Sequence, residues 1–502
     1  MDYALLMASF TEQHRHRGWP RQRLLHECLR AAIRGGTLAA GTRLVASRAL
    51  AEELGVARNT VLYAYEQLAS EGFVSSDRRG TVVAAVAPEH RSAPPPAPPQ
   101  AGLAQRVQAL GNSFGAMEAD AAGAFVPGVP ALDQFPLTLW RRMLERALRA
   151  MTPAQLNYGD PAGEPALREA IADHLRASRG VVCDASQVFI TDGTQSSLDL
   201  CMRACADHGE TVWMENPGYG GALAACRAAG LRVAPIAVDA DGIAPCAEDW
   251  LLHPPRLIYT TPSHQYPTGS VLSLRRRLAL IAAARAAGAL IIEDDYDSEF
   301  RHDGAPLSAM QGLVPDAPVL YLGTFSKTMF PSLRIGFVVA PGSLAPALAA
   351  MRAQSSARGR VAEQLALAEF LRSGQFALHL RRMRRLYRQR RDALVAALEW
   401  HLGAVAAVHG GSAGMHLALR FTDPALDDVA ISAQARAHGI TARPLSAHAL
   451  GAAEDWRGLM LGYAQVPAEQ MDGLVRQLAA VVHLAAFIEG GRRMKAGAES
   501  MG

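Results

Sequence analysis

The sequence predicts a protein of two domains, a small helical domain at the N-terminus followed by a large α/β domain. Three observations predict this. A proline-rich stretch, APEHRSAPPPAPPQ, occupies residues 87–100 and excludes both a helix and a central strand. Before it, apolar residues recur at helical spacing, and after it, short apolar runs alternate with amphipathic helices. A chain of 502 residues is long enough for each domain to bury its own core.

Composition and charge narrow the class of protein. Hydrophobic residues make up 50% of the chain and charged residues 19%, which is typical of globular proteins. No apolar run reaches the roughly 20 residues that span a bilayer, and the N-terminus lacks the pattern of a secretory signal. The scattered cysteines form no CxxC pair, so we expect buried thiols, no metal site and a cytoplasmic protein. A net charge of +3 does not by itself indicate a nucleic-acid partner.

The domain boundaries follow from the changes in composition. Residues 16–86 form the small domain, residues 87–115 a proline-rich linker and residues 116–485 the large domain. The last segment, 486–502, contains the polar run GGRRMKAGAESMG, and we expect it to be a disordered tail.

The small domain carries the pattern of a helix-turn-helix with a hairpin. RQRLLHECLRAAIR predicts a first helix. Two shorter helices follow at residues 47–54 and 58–71, joined by a turn at Gly55, which is the arrangement of a helix-turn-helix. Two short apolar runs within residues 73–85 flank the turn DRRG and predict a small hairpin, the wing.

The second of these two helices has the side chains of a DNA recognition helix. Its N-terminal end would meet base edges in the major groove, where arginine pairs with guanine and asparagine with adenine. The start of the preceding helix would clamp the DNA backbone, and the wing would reach a flanking groove. Taken singly, these residues also fit a helix cap or a solvated surface, so the prediction depends on the whole arrangement. The predicted DNA-binding residues are Ser47, Arg48, Arg58, Asn59, Thr60, Arg78 and Arg79.

Lysine is almost absent from the chain. Of the 50 Lys and Arg residues, only Lys327 and Lys495 are lysines. Arginine serves at surface positions as well as lysine does, but its guanidinium stays protonated and cannot form a Schiff base. Lys495 lies in the predicted tail, so Lys327 indicates amine chemistry inside the large domain.

The large domain alternates the runs VFI, TVWM, RLIYTT, ALIIEDD, VLYLGTF and IGFVVA with helices. This alternation predicts an α/β fold with a largely parallel sheet, whose ligands lie at the carboxyl ends of the strands. At one strand end, Gly193 and Thr194 open a helix, and their position suits either a bound phosphate or a simple helix cap. At another, Tyr219 follows a proline-glycine turn, where its ring can stack on a flat cofactor.

Two further strand ends carry charged residues. LIIEDDYDSEF brings Asp294 to the end of a buried strand, which is costly unless the carboxylate has a partner such as a pyridinium nitrogen. YLGTFSKTMFPSLRIGF brings Lys327 close to Thr324, Ser326 and Arg334, a set that suits a Schiff base beside a phosphate. Together the four strand ends supply an amine, a phosphate site, a stacking ring and a partner for a ring nitrogen, which is what pyridoxal 5′-phosphate requires.

Both halves resemble known families. Residues 20–86 are similar to the winged helix of the GntR family through GGTLAAGTRL and ASRALAEELGVARNTVLYAYEQLASEGFV, with Val45-Ala46 where many members have Pro-Ser. Residues 125–485 resemble the fold-type I aminotransferases of class I/II. A GntR-type winged helix joined to an aminotransferase-like domain is the architecture of the MocR/GabR-type regulators, and SHQYPTG, EDDYDSEF and GTFSK are similar to that subfamily.

The resemblance implies pyridoxal 5′-phosphate as the cofactor, with Lys327 as its Schiff-base residue. It implies that Asp294 faces the pyridine nitrogen, that Tyr296 contacts the phenolic oxygen, and that Tyr158 reaches the phosphate of a partner subunit. A homodimer follows, domain-swapped and head-to-tail in this subfamily. The implied cofactor-binding residues are Tyr158, Gly193, Thr194, Tyr219, Asp294, Tyr296, Thr324, Ser326, Lys327 and Arg334.

Two departures from the aminotransferase pattern argue against ordinary transamination. Tyr266 stands where an asparagine commonly binds the phenolic oxygen, and Met460 stands where an arginine usually binds the substrate carboxylate. Arg443 and Arg457 are the candidates to replace that arginine. We therefore expect a regulator that binds promoter DNA and senses an amine or amino acid through an aldimine at Lys327, or senses the cofactor itself. The alternative is a genuine aminotransferase with a DNA-binding head.

Overall fold

The structure is a computed structural model, and it describes residues 1–14, 18–77, 80–85, 123–304, 307–355, 359–451 and 456–499. The chain divides into two compact units, Met1–Gly102 and Leu103–Gly502. The predicted linker, residues 87–115, lies outside the described residues.

In the described part of the small unit, four helices are followed by a hairpin. Leu50, Val61 and Leu68 are fully buried at its centre. Gly55, in the turn between the second pair of helices, has φ +61°, a left-handed conformation that glycine adopts without strain. The helix nearest the N-terminus, Tyr3–Gln13, was not predicted. The elements are α1 (Tyr3–Gln13), α2 (Arg21–Arg34), α3 (Ser47–Leu54), α4 (Arg58–Ser70), β1 (Val74–Asp77) and β2 (Gly80–Val83).

The described residues of the large unit form one large and one small sheet, with helices packed against both. The strands are β3 (Val188–Thr191), β4 (Thr211–Asn216), β5 (Arg232–Asp239), β6 (Gly242–Ile243), β7 (Leu257–Thr260), β8 (Leu290–Asp295), β9 (Val319–Thr324), β10 (Gly336–Val339), β11 (Ala406–His409), β12 (His416–Phe421), β13 (Arg443–Pro444) and β14 (Gly458–Gly462). The helices are α5 (Leu137–Ala150), α6 (Pro165–Arg179), α7 (Thr194–Cys205), α8 (Gly220–Ala228), α9 (Ala247–Leu252), α10 (Leu274–Ala287), α11 (Ala345–Ser355), α12 (Val361–Arg372), α13 (Gln375–Leu402), α14 (Asp428–Ala437) and α15 (Met471–Glu499).

The large sheet has the strand order β3-β10-β9-β8-β7-β4-β5-β6. Strands β9, β8, β7, β4 and β5 are parallel, which confirms the predicted α/β fold. Strand β10 differs, since it runs antiparallel to both β3 and β9. Both faces of the sheet are buried: Leu320 and Leu322 pack with α7, α8 and α11, whereas Tyr321 packs with the core that contains α5, α6, α12 and α13. Because β8 and β9 are parallel neighbours, their carboxyl ends lie beside each other at one edge of the sheet.

The small sheet is antiparallel, in the order β11-β12-β14-β13, and packs with α13, α14 and α15.

At the C-terminal end the structure differs from one prediction. Helix α15 continues through the segment from residue 486 that we expected to be a disordered tail, and it ends at Glu499. Alanine, arginine, methionine, lysine and glutamate all favour a helix, and a polar composition alone does not prevent one.

One stretch among the described residues, Ala468–Gly490, is long and apolar enough to cross a membrane, with a mean hydropathy of 1.4. Length and composition are weak evidence for a span. Val475, Leu478 and Val482 of this stretch are fully buried in the core of the large unit. One face of the stretch thus packs on the core of the large unit, and a third of its apolar window is buried.

Candidate functional site

Lys327 lies three residues beyond the end of β9, and its side chain is partly buried in the large unit. Its Nζ donates a hydrogen bond to the carbonyl oxygen of Gly128, at 2.8 Å. The pKa of Lys327 is lowered, mainly because burial disfavours the ammonium form, while Asp297 and Asp294 act in the opposite direction. A lowered pKa raises the fraction of neutral amine, which is the nucleophilic form. The structure thus gives Lys327 the environment of a reactive amine.

Gly128 is a residue of this site that the sequence did not single out. It has φ +75°, and a Cβ atom built on it would lie 2.9 Å from Nζ of Lys327. Any larger residue would therefore displace the amine as well as strain the backbone. A single glycine in the run PGVP gave no sequence signal for this contact.

Asp294 lies at the carboxyl end of β8, next to the end of β9. Its Oδ2 accepts a hydrogen bond of 2.8 Å from the hydroxyl of Tyr259, whereas its buried Oδ1 has no hydrogen-bond partner within the described residues. Burial raises the pKa of Asp294 to about 7, and Asp295 and Asp297 contribute further. A buried carboxyl group with an unused oxygen fits a protonated ring nitrogen, which would supply both a donor and a positive charge.

The other acidic residues of this strand have partners inside the protein. Asp295 forms an ion pair with Arg179, with 2.7 Å between Oδ2 and Nε, and accepts a bond of 2.6 Å from the hydroxyl of Tyr321. Glu293 accepts bonds from two backbone N–H groups at the short helix that starts at Met310. The cost of burying these charges is thereby offset, although the buried Oδ1 of Asp295, like that of Asp294, has no hydrogen-bond partner within the described residues. Asp294 differs from Asp295 and Glu293 in that no arginine forms an ion pair with it among these residues.

The start of α7 forms a site suited to a phosphate. Gly193 precedes the helix with φ +92°, and neither it nor Thr194 caps the helix through a side chain. The alternative of a simple side-chain cap is therefore not observed, and the first N–H groups of the helix are available to an anion. A Cβ on Gly193 would lie 3.3 Å from the guanidinium of Arg334. Thr324, in register with Gly336 on β10, and Ser326 are buried beside this site.

Tyr158 lies on the wall of a cleft of about 810 Å³ that Arg334 and Arg360 also line. In the single chain the Tyr158 side chain is 88% exposed. Arg360 contributes a bond of 2.7 Å from Nη1 to the carbonyl oxygen of Arg334, and it lies 3.6 Å from the carboxylate of Asp192. The cleft thus begins at the phosphate-type site and opens to solvent at Tyr158.

Three tyrosines pack together at the other end of the site. The ring of Tyr266 lies 5.3 Å from that of Tyr219 and 6.1 Å from that of Tyr296, in both cases edge to face. The hydroxyl of Tyr296 donates to the carbonyl oxygen of His264, at 2.9 Å. Burial raises the pKa of Tyr266, and the positive charge of Arg443, one of the two arginines considered in place of Met460, acts in the opposite direction. Tyr266 is therefore the hub of this end of the site.

A buried cluster of His264, Asp297 and His416 adjoins the tyrosines, and the sequence did not anticipate it. Potential ligand atoms of the three residues lie within 4.8 Å of one another. Nδ1 of His264 lies 3.1 Å from a carboxylate oxygen of Asp297, so a hydrogen bond accounts for that pair. Burial, together with His264 and His448, holds the pKa of His416 well below its ordinary value, and His416 is therefore neutral. His264 and Asp297 belong to the motifs SHQYPTG and EDDYDSEF, whereas nothing marked His416.

In the small unit, Arg58 and Asn59 are exposed at the start of α4 and Thr60 is half-buried. The residue before the helix is Ala57, and no side chain caps the first turn. The free N–H groups of that turn are therefore available to an anion such as a DNA phosphate. Nε of Arg58 donates to the hydroxyl of Ser47 at 3.5 Å, and Arg48 is exposed. The wing residues Arg78 and Arg79 lie outside the described residues.

Comparison with known proteins assigns both units. Residues 22–83 match the gntR family of bacterial regulatory proteins, and residues 128–478 match the class I and II aminotransferases. The chain is 41% identical over 457 residues to the probable rhizopine catabolism regulatory protein MocR of Rhizobium meliloti, covering 90% of this chain and 92% of that protein. The chain belongs to the MocR-type transcriptional regulators. Its winged helix is the DNA-binding part of the regulator, and its large unit is an aminotransferase-like domain.

Two further comparisons bear on the cofactor of this regulator. The HTH-type pyridoxine biosynthesis transcriptional regulator PdxR of Corynebacterium glutamicum is 35% identical, covering 73% of this chain and 76% of that protein. The α-aminoadipate aminotransferase LysN of Thermus thermophilus, solved with N-(5′-phosphopyridoxyl)-L-leucine, has a TM-score of 0.70 and 26% identity, covering 77% of this chain and 98% of that one. The large domain is therefore a pyridoxal phosphate-binding domain. The free Oδ1 of Asp294 and the cradle at Gly193 fit that cofactor's ring nitrogen and phosphate.

Proposed function

We propose that this regulator holds pyridoxal phosphate at Lys327 and uses it to sense a primary amine or amino acid, which changes how the winged helices engage promoter DNA. One observation carries the proposal: a partly buried amine and a buried carboxyl oxygen without a partner lie close to adjacent strand ends of a domain joined to a DNA-binding helix. Such a pair suits a cofactor that needs both groups.

Each residue around the cofactor has a role in this proposal. Lys327 attaches it, Asp294 bonds its ring nitrogen and Tyr296 its phenolic oxygen. Tyr219 stacks on the ring, and Tyr158 reaches the phosphate of a second subunit in a homodimer. When bound, pyridoxal phosphate supplies an electrophilic carbon that condenses with primary amines. The phosphate is held by Gly193, Thr194, Thr324, Ser326 and Arg334.

The signal arises from the position of Lys327. An effector amine would compete with Lys327 for attachment to the cofactor, and a lysine that is not attached can donate through Nζ to the carbonyl oxygen of Gly128, as it does in the structure. The lysine thus has two alternative partners, and an effector shifts the balance between them. Two states of the large domain that present the DNA-binding heads differently would couple this shift to promoter binding in the cytoplasm.

We also propose that the protein does not turn over substrate as an aminotransferase. Met460 supports this, since it supplies no charge at the position where aminotransferases commonly bind the substrate carboxylate. A second candidate function has pyridoxal phosphate itself as the signal, and the similarity to a regulator of pyridoxine biosynthesis favours it.

The test is selection of genomic DNA fragments by the purified protein, with and without pyridoxal phosphate, followed by binding assays on the recovered sites. We expect sites near a transporter or metabolic operon, and an amine whose effect on binding disappears in Lys327→Ala. An unchanged response of the variant would exclude sensing through Lys327. A full response to the cofactor without any amine would favour the second candidate. Recovery of no specific DNA by the folded holoprotein would contradict the regulator.

A further inference from the structure

We propose that helix α13 of the large unit carries a second DNA-binding surface, a row of arginines that contacts the phosphate backbone of a duplex without reading its bases. This inference goes beyond the proposed sensing, because it requires neither the cofactor nor an effector. The arginine row consists of Arg381, Arg382, Arg384, Arg385 and Arg388, all of which are exposed.

Helix α13 concentrates positive charge in a short stretch. Residues 381–391, RRMRRLYRQRR, contain seven arginines, and the first acidic residue after them is Asp392. Two of the seven serve the fold. Arg390 is buried and donates to a backbone carbonyl oxygen, and Arg391 forms an ion pair with Asp303. The other five are the arginine row, and their charge exceeds the net charge of the whole chain, +3.

Two members of the row contact the protein only through uncharged groups. Nε of Arg384 donates to the carbonyl oxygen of Glu299, and Nη2 of Arg388 donates to that of His302, at 2.9 Å. The carboxylate of Glu299 is instead 3.3 Å from Nε2 of His174. These two contacts position the arginines and leave their positive charges without an acidic partner among the described residues.

The other three members, Arg381, Arg382 and Arg385, form neither an ion pair nor a hydrogen bond within the described residues. In α13 the positions three and four residues from Arg381 are themselves arginines. Like charges at this spacing destabilise a helix, so the row costs stability unless an anion binds to it. Several arginines on other helices of this unit have an acidic partner three or four residues away, as in the pairs Arg141–Glu145, Arg176–Asp173 and Arg203–Asp199.

The spacing of the row suits a polymer of regularly placed negative charges. Residues three, four and seven positions apart share one face of a helix, which places Arg381, Arg385 and Arg388 on the same side. At about 1.5 Å per residue, this face is about 10 Å long. Duplex DNA carries about one phosphate charge per 1.7 Å of its axis, so about six phosphates lie along the same length. The row is therefore long enough to contact more than one phosphate.

The composition of the row favours DNA over an acidic protein. Every exposed side chain of residues 381–391 is an arginine, apart from Gln389. Protein interfaces depend on apolar and aromatic anchors, which the exposed side chains of this stretch lack, whereas phosphate contacts depend on positive charge. The winged helix of the same chain also keeps duplex DNA at a high local concentration, so weak contacts with phosphates are sufficient.

The experiment removes three charges of the row from the full-length holoprotein, in the variant Arg381→Gln/Arg382→Gln/Arg385→Gln. Binding is measured by fluorescence anisotropy at several salt concentrations, on short and long duplexes that contain a selected promoter site or a random sequence. On long duplexes we expect roughly tenfold weaker binding, and a decrease of about 2 to 3 in the slope of log K against log salt. The loss should be equal for the promoter and the random sequence, since phosphate contacts carry no base preference. On duplexes that extend only over the winged-helix site, the variant should bind as the wild type does.

Arg142→Gln/Arg149→Gln/Arg275→Gln is the matched control. It removes three exposed arginines of α5 and α10 that likewise have no partner within the described residues, and it should keep the wild-type affinity and slope. Thermal unfolding shows that both variants are folded, and the row variant should be at least as stable as the wild type because repulsion is relieved.

Equal losses in the two triple variants would assign the effect to net charge and overturn the proposal. An unchanged affinity and slope on long duplexes would overturn it as well, and would leave an acidic protein as the partner of the row. Neither result affects the proposed sensing, which is followed separately through the response of cofactor absorption to amines and should be the same in both variants.

Discussion

At the scale of single residues, the cofactor site combines two groups whose charged forms are disfavoured by burial, the amine of Lys327 and the carboxyl group of Asp294. Each offsets part of the other's penalty, since the carboxylate raises the pKa of the lysine and the lysine lowers that of the acid. The compensation is incomplete, because the pKa of Asp294 remains at about 7. The folded protein without cofactor therefore carries an electrostatic cost that a bound pyridinium would remove.

The first prediction concerns the stability of Asp294→Asn without cofactor. Because the folded-state pKa of Asp294 is raised from 3.8 to about 7, the folded protein retains a proton that the unfolded chain loses across that interval. Wild-type stability should therefore decrease as the pH rises from about 4 to 7, relative to the variant. At pH 8 we expect the cofactor-free variant to be more stable by roughly 1–3 kcal/mol, measured by denaturant unfolding.

The same variant should bind the cofactor at least tenfold more weakly, because the amide cannot neutralise a pyridinium. Asp295→Asn is the contrasting variant, since it breaks the buried ion pair with Arg179 and should lower stability at neutral pH. If Asp294→Asn were less stable than wild type at every pH, the raised pKa would not describe this site.

The second prediction concerns Gly128→Ala. The new Cβ would lie 2.9 Å from Nζ of Lys327 and would strain a backbone with φ +75°, so we expect both a loss of about 1–2 kcal/mol of stability and weaker cofactor binding. Gly209→Ala separates the two effects, because Gly209 has φ +86° and nothing within 4 Å of its Cβ position. Unfolding and cofactor titration of both variants provide the comparison. Equal cofactor affinity in the two variants would show that the contact with Lys327 does not affect cofactor binding.

At the scale of elements, both ligand-binding positions occur at helix starts that no side chain caps, α4 in the small unit and α7 in the large unit. An uncapped first turn costs stability unless an anion satisfies its N–H groups. In α7 the anion would be the cofactor phosphate, and in α4 the backbone of DNA. Other described helices, α2, α3 and α5 among them, also start without a side-chain cap. The neighbouring arginines, Arg58 in α4 and Arg334 beside Gly193, are therefore what favours an anion at these two starts.

The third prediction tests α4. On a selected promoter site, Asn59→Ala and Arg58→Ala should each cost about 1–3 kcal/mol of binding free energy and relax the preference at one base pair. Arg48→Ala should weaken specific and non-specific DNA alike and reduce the salt dependence of binding. Ser70→Ala, at the far end of the same helix, is the control. Fluorescence anisotropy at several salt concentrations distinguishes these effects, and identical losses on specific and random DNA for Asn59→Ala would contradict base recognition.

At the scale of the whole molecule, the cleft beside Arg334 opens to solvent at Tyr158, a tyrosine that is 88% exposed in the single chain. Leu156 on the same wall is also exposed, and an exposed apolar patch next to a binding site is typical of a surface that a second subunit covers. This arrangement accords with a homodimer in which each subunit completes the phosphate site of the other.

The fourth prediction uses co-expressed variants to test this exchange. Tyr158→Phe should weaken cofactor binding about tenfold, through loss of a hydrogen bond to a charged group. In a heterodimer of Tyr158→Phe with Lys327→Ala, one site would regain both an intact lysine and an intact tyrosine from the partner. Cofactor titration of the purified heterodimer should therefore find one site per dimer with wild-type affinity. If every site in the heterodimer bound weakly, Tyr158 would act within its own subunit.

Local pattern was sufficient for much of the fold and for the motifs of the site. The starts of α3 and α4 and the strand that carries Asp294 near its end followed from periodicity and glycine placement. The contribution of Gly128 and His416 did not, because each reaches the site through a contact with a residue distant in sequence. The position of Arg443 opposite Met460 depends on strand register, which a two-residue strand does not reveal. The antiparallel direction of β10 likewise depends on chain topology and not on its composition.

The scarcity of lysine gives the buried position of Lys327 a practical consequence. A protease that cleaves only after lysine has two target bonds in the chain, after Lys327 and after Lys495. The first lies in the interior of the large domain, so cutting there requires local opening of the surrounding structure. The rate at which the fragment 1–327 accumulates on a gel therefore measures how readily this region opens. A ligand that closes the domain should slow this cleavage while leaving the cut near the C-terminus unchanged.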